Sequence, residues 1–203
     1  MVFISQNKHL IEKILILAIF LVFVVLRFFS NLPAYYITGD QGKYLSLANN
    51  FPKHTLDNNQ LFLQHPPLFP YLIHFFDLFL EDYKAGILIS FLASVVTFFV
   101  IYKLFMLLTG DYYKTLATLL FYTISFNTLF FAKIIYKESL FLMLVMLTLY
   151  FYLKWLKYNS KIPLLITCFF GSLTSFTADH AILLLPSLAL AYLIFKTKKT
   201  SFF

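Results

Sequence analysis

Side chains able to do chemistry are few in this chain, and many of them lie in or near one stretch. Between Gly39 and Asp82 the sequence reads GDQGKYLSLANNF, then a polar run, then HPPLFPYLIHFFDLFLED. Asp40 opens that stretch, with Lys43 three residues on. A carboxylate placed there is equipped to take a proton or hold a cation. It is equally suited to capping the helix that follows, or to pairing with Lys43. Further along, Lys133 and Glu138 stand in AKIIYKESLF, where Glu138 also fits the dipole-favoured start of a helix. His65 precedes Pro66-Pro67, and Asp179-His180 falls in TADHAILLLP; a shaped turn and a helix cap are the plain readings there. Arg27 ends a first apolar run, where it either snorkels to the headgroups or offers a cation to a lipid phosphate.

The elements that must hold these residues are apolar. Of the 203 residues, 61% are hydrophobic and 12% charged, and the mean hydropathy is +0.80. A soluble core of this size would leave too few polar residues to cover its surface, so the chain reads as a polytopic, all-α membrane protein. The net charge of +7 is not arranged as a nucleic-acid-binding stripe; the charges lie at the ends of apolar runs. The single cysteine, Cys168, excludes an intramolecular disulfide and has no metal-ligand spacing. No phosphate-binding loop, dinucleotide fingerprint, HExxH or GxSxG motif is present.

About six spans are expected, near Leu10–Leu32, Ala85–Leu108, Lys114–Ala132, Glu138–Leu156, Ile162–Thr177 and Ala181–Phe195. The first, behind Lys8 and Lys13, resembles a signal peptide but lacks a small-residue cleavage site, so it reads as uncleaved. Six spans put both termini on one side. With that side cytoplasmic, ten lysines face two acids, Glu12 and Asp111, while the outer side carries six cations and seven acids. Such segregation is what the positive-inside rule demands. It sends residues 31–84 outward as the first extracytoplasmic loop, along with His54, His65, His74 and His180. Any chemistry belongs to that outer face.

Two amphipathic helices are expected in the loop. Tyr44, Leu47, Ala48 and Phe51 form one apolar stripe that Pro52 ends. After Pro66-Pro67, the apolar stretch to Leu80 is too short to span, and Pro70, His74, Asp77 and Glu81 fall on one helical face. That pattern describes a helix lying at the bilayer surface.

An acid after the first span, a Tyr-Leu-x-x-Ala helix and an H-P-P-L-F-P run together resemble the first extracytoplasmic loop of GT-C glycosyltransferases. The branch is that of the protein O-mannosyltransferases and aminoarabinose transferases. The carriers are Asp40, Tyr44, Leu45, Ala48, His65, Pro66, Pro67 and Pro70. Lys133 with Glu138 is similar to the family's Arg followed by an acid, and GSLTSFTADHAILLLP to its Gly-rich helix, polar turn and Leu-rich helix. The chain departs from the pattern where Gln41 stands for a second acid, and where Ala178, Asp179 and His180 stand near an expected arginine. The resemblance implies further helices or a domain, so residues 1–203 read as a single N-terminal module.

The resemblance implies an enzyme that moves a hexose or pentose from a polyprenyl-phosphate donor to an extracytoplasmic protein, lipid or glycan. Asp40 is then the expected base and Glu138 the residue that orients the acceptor. Lys133 and Arg27, with Lys137 behind them, are expected to bind the leaving phosphate, and Tyr44, His65 and His180 the substrate. No cofactor is fixed; a divalent metal on Asp40 and Glu138, with His65 or His180 beside them, stays open. Membrane lipids are expected partners, nucleic acid is not, and a partner subunit completing the site is an alternative. So are a non-catalytic fragment and a small transporter subunit, the last disfavoured because the expected spans hold almost no charge.

Overall fold

The computed structural model describes residues 2–29, 39–51 and 66–197, and among them every regular element is helical. The helices are α1 (Val2–Phe29), α2 (Gly39–Asn49), α3 (Leu68–Asp77), α4 (Asp82–Thr109), α5 (Tyr112–Ile124), α6 (Phe126–Phe131), α7 (Glu138–Tyr158), α8 (Lys161–Ser175) and α9 (Leu184–Thr197). A 3-10 turn, Asp179–Leu183, leads into α9.

Their ends follow from local chemistry. Gly110 stops α4 in the left-handed conformation at φ 60°, which costs a residue without Cβ little. Asp111 then caps α5, accepting from the amides of Tyr113 at 2.9 Å and Lys114 at 3.3 Å. Those bonds hold its carboxyl below the usual carboxylate range.

At the centre, α4 packs on α7, α5 and α3, while α8 covers another side of α7 and α1 packs on α5. Two apolar clusters result. One joins Tyr44 and Ala48 of α2, Phe69 and Ile73 of α3, Ala85, Ile89 and Ala93 of α4, Ile135, and Leu140 and Leu144 of α7. The other joins Ile19 and Phe23 of α1 to Phe98 and Ile101 of α4 and Leu119 and Tyr122 of α5. α4 and α7 are long and apolar enough to cross a membrane. With 28 and 21 residues they extend about 42 and 31 Å, against roughly 30 Å of hydrocarbon.

Several expectations change. The stretch expected as one span over Lys114–Ala132 is broken: Ser125 turns to extended backbone between α5 and α6. Serine is a weak breaker by sequence. Here the hydroxyl of Thr128 donates to the freed carbonyl of Tyr122 at 2.8 Å, satisfying the break, and also lies 2.9 Å from the Ser125 carbonyl that accepts from Leu129 N–H. The helix expected over the apolar stretch ends at Asp77, so Glu81 lies off it, immediately before α4. Pro70 is not on a polar face either; it is buried, as Phe69 and Ile73 are. Tyr71, Phe75, Leu78 and Phe79 are exposed instead, an apolar ridge suited to a bilayer surface. The stripe of α2 holds for Tyr44, Leu47 and Ala48, all buried, but the helix ends at Asn49, so Phe51 lies beyond it and is only half-buried.

Candidate active site

Asp40, Lys133 and Glu138 lie at one end of the bundle. The buried stripe of α2 seats that helix on α3 and α4 and brings Asp40, in its first turn, over the connector between α6 and α7. Asp40 lies inside the helix that begins at Gly39, so it is not the cap. One carboxylate oxygen accepts from Lys43 Nζ at 3.2 Å and the other from the Tyr136 hydroxyl at 3.2 Å. The pairing with Lys43 is the one its spacing suggests. Asp40 remains 45% exposed, open to a substrate approaching from outside the bundle.

The connector is clamped from below. Ile134 and Ile135 are buried, Ser90 Oγ donates to the Tyr136 carbonyl at 3.3 Å, and a Cβ on Gly86 would stand 2.8 Å from Ile135 Cγ2. Glycine at 86 is therefore what lets the connector lie this close to α4. Glu138 opens α7 just beyond; its Oε2 is buried and has no hydrogen-bond partner among the described residues. It feels the repulsion of Asp40 and the attraction of Lys137. Lys133 is half-buried on the same connector, and its burial lowers the ammonium below the usual lysine range.

Glu138 also lines a cleft of about 140 Å³ with Tyr122, Asn127, Thr128, Phe131, Ser139 and Leu142. Behind Thr128 lies Arg27. It does not snorkel: it is 3% exposed, drawn inward among α1, α4, α5 and α6. Its Nε donates to Ser94 Oγ at 2.9 Å, Nη2 to Thr128 Oγ1 at 3.4 Å, and Nη1 to the carbonyls of Phe23 and Thr123 at 3.5 Å. The guanidinium carbon stands 3.5 Å from the centroid of the Phe23 ring. None of these partners is a carboxylate, and no ion pair joins Arg27 to a described residue. A buried cation with neutral neighbours is costly unless something anionic meets it.

The other expected residues are placed differently. Tyr44 is buried, its ring edge-on to Phe69 and Tyr136 at centroid distances of 5.3 and 6.1 Å. His180 is exposed on the 3-10 turn and makes no recorded bond to Asp40 or Glu138. The turn before it does belong to this end, because Leu68 N–H donates to the Phe176 carbonyl at 3.0 Å. His65 lies outside the described residues. No group of three or more His, Cys, Asp or Glu side chains gathers as a metal site among the described residues. Tyr136, Ser94, Tyr122 and Thr128 were not legible as site residues. Their only signal is polarity between apolar neighbours, which tyrosine, serine and threonine show throughout this chain.

Residues 64–203 match the family described as dolichyl-phosphate-mannose-protein mannosyltransferase. The matched part includes His65, Lys133, Lys137, Glu138 and His180; Arg27, Asp40 and Tyr44 precede it. Neither a curated protein nor a solved structure matches the chain. The family and the apolar helices together indicate an integral membrane protein. Matched over more than half its length, the chain belongs to the dolichyl-phosphate-mannose-protein mannosyltransferase family, whose members are glycosyltransferases of the GT-C type.

Proposed function

We propose that the protein transfers a sugar from a polyprenyl-phosphate donor to an extracytoplasmic hydroxyl, with Asp40 as general base. The observation that carries this reading is Arg27, a buried cation without a carboxylate partner among the described residues, set behind the cleft that Glu138 lines. A lipid-linked phosphate entering that cleft supplies the missing anion, and its apolar tail suits Phe131 and Leu142. As the sugar leaves, negative charge grows on the phosphate, and Arg27 stabilises it with Lys133 and Lys137 nearby. At the Glu138 end, the unpartnered Oε2 accepts a hydroxyl and orients the acceptor, while Asp40 takes the proton.

In this reading the chain crosses the membrane six times, with α1, α4, α5–α6, α7, α8 and α9 as spans. Both termini are cytoplasmic and the Asp40 end is extracytoplasmic, as the lysine distribution requires. Membranes carrying the protein should convert labelled polyprenyl-phosphate mannose into product, and Asp40→Asn should remove that conversion while protein level holds. Full conversion by Asp40→Asn sinks the base assignment.

A second reading keeps one supporting observation. A buried ionisable residue in an apolar bundle is also what transporters carry, and Arg27 is one, in spans expected from sequence to hold almost no charge. Solute uptake into vesicles without sugar transfer would favour it.

A further inference from the structure

We infer that Tyr136 is a positioning residue for Asp40: its hydroxyl fixes the carboxylate's orientation and ties α2 to the connector before Glu138. The inference rests on the reading of Asp40 as base and deepens it.

Four observations converge. The Tyr136 hydroxyl donates to Asp40 Oδ2 at 3.2 Å, while Lys43 holds Oδ1 at 3.2 Å from within α2. Of these two restraints, only the one from Tyr136 comes from a different part of the chain, 96 residues away. Second, the Tyr136 ring is itself fixed, lying 5.7 Å from the Phe131 centroid and 6.1 Å from that of buried Tyr44. Third, its backbone is pinned to α4 by the Ser90 hydroxyl at 3.3 Å. Fourth, the absence of a side chain at Gly86 lets Ile135 settle against α4 directly before it. A phenol held on both ring and backbone is a rigid donor, whereas Lys43 is a flexible, half-exposed ammonium.

Two charged groups also act on the Asp40 carboxylate. Lys43 attracts the carboxylate along α2, and Glu138, itself drawn toward Lys137, repels it from α7. Loss of the Tyr136 hydroxyl removes the restraint on Oδ2 and leaves Oδ1 on the mobile Lys43 ammonium, so the carboxylate is free to turn. The proton acceptor then leaves the side on which an acceptor hydroxyl would meet Glu138. A misplacement of this kind lowers the rate of proton transfer more than it lowers substrate binding.

Tyr136→Phe tests this, because the ring contacts to Tyr44 and Phe131 survive and only the hydroxyl is lost. Isotope-edited infrared spectra of aspartate-labelled protein, with the Asp40 band identified by its loss in Asp40→Asn, should show that band shifted in Tyr136→Phe. This readout needs no turnover. In the transfer assay the same variant should lose about tenfold in kcat with KM unchanged. An unmoved Asp40 band with wild-type kcat overturns the positioning role while leaving Asp40 as base. Activity in Asp40→Asn overturns the base, yet a shifted band would still establish the tether. Should Tyr136→Phe fail to fold, 3-fluorotyrosine at position 136 keeps the ring and makes the phenol a stronger donor; a shifted Asp40 band there supports the tether, and an unmoved one refutes it.

Discussion

Replacing Arg27 by methionine separates a stabilising role from an anion-binding one. The wild-type side chain makes one hydrogen bond of good length, to Ser94 at 2.9 Å, and three long ones between 3.4 and 3.5 Å. The good bond to a charged group contributes about 2 kcal/mol, and the stack on Phe23 at 3.5 Å about 2 kcal/mol more. Against these stands the desolvation of a cation without a carboxylate partner, on the order of several kcal/mol. The terms nearly cancel. Methionine also leaves few polar groups stranded: Ser94 Oγ keeps its 3.1 Å contact with the Tyr122 hydroxyl, and Thr128 keeps its carbonyl partners. Stability should therefore change by less than about 2 kcal/mol. Removing an electrostatic donor from a developing anion costs about 10²–10³ in rate, roughly 3–4 kcal/mol. The assay pairs thermal unfolding in detergent with sugar transfer in membranes. Polyprenyl phosphate at a hundredfold excess over its Kd should stabilise wild type by about 2.7 kcal/mol and leave Arg27→Met almost unmoved. Wild-type turnover in Arg27→Met, or a loss of folded protein that accounts for all lost activity, would refute the reasoning.

Two further outcomes follow from local geometry. Gly86→Ala places a methyl group 2.8 Å from Ile135 Cγ2, an overpacking that should cost about 1–3 kcal/mol in thermal or denaturant unfolding. Asp111→Ala removes the cap of α5 and should lower Tm by a few degrees. Because the Asp111 carboxyl is held below its ordinary range, its stabilisation is present at neutral pH and lost as pH falls through the folded-state value. The alanine variant should lack that acid-side component, and parallel stability–pH curves would rule it out.

What the sequence disclosed and what it withheld divide along a physical line. Charge segregation needs only composition and order, and it grouped Asp40 with Lys133 and Glu138, which the fold brings to one end. The α2 stripe was legible because Tyr44, Leu47 and Ala48 repeat with helical period. Pro70 was misjudged because a helix wheel counts proline as polar, whereas here it is buried, as Phe69 and Ile73 are. Arg27 was left between snorkelling and meeting a lipid phosphate because it lies near a helix end; its pocket is made by Ser94, Thr123 and Thr128, none of which lies near it in sequence. Tyr136 escaped notice for the same reason, since its partner is Asp40.

The distance in sequence between Arg27 and its pocket has a consequence for synthesis. The carbonyl of Thr123 that receives Nη1 is made 96 residues after Arg27. At 5–20 residues per second that is an interval of about 5–20 s. During it the first helix waits with a cation that has nowhere inside the protein to go. Arg27 stands two residues from the end of α1, close enough to the headgroups to reach water in the meantime. Snorkelling then describes the nascent chain and burial the finished one. In a Cys168→Ser background, ribosome-stalled chains of the Arg27→Cys variant ending before Thr123 should be open to a water-borne thiol reagent that the full-length variant excludes. Equal labelling of both would contradict this order of events.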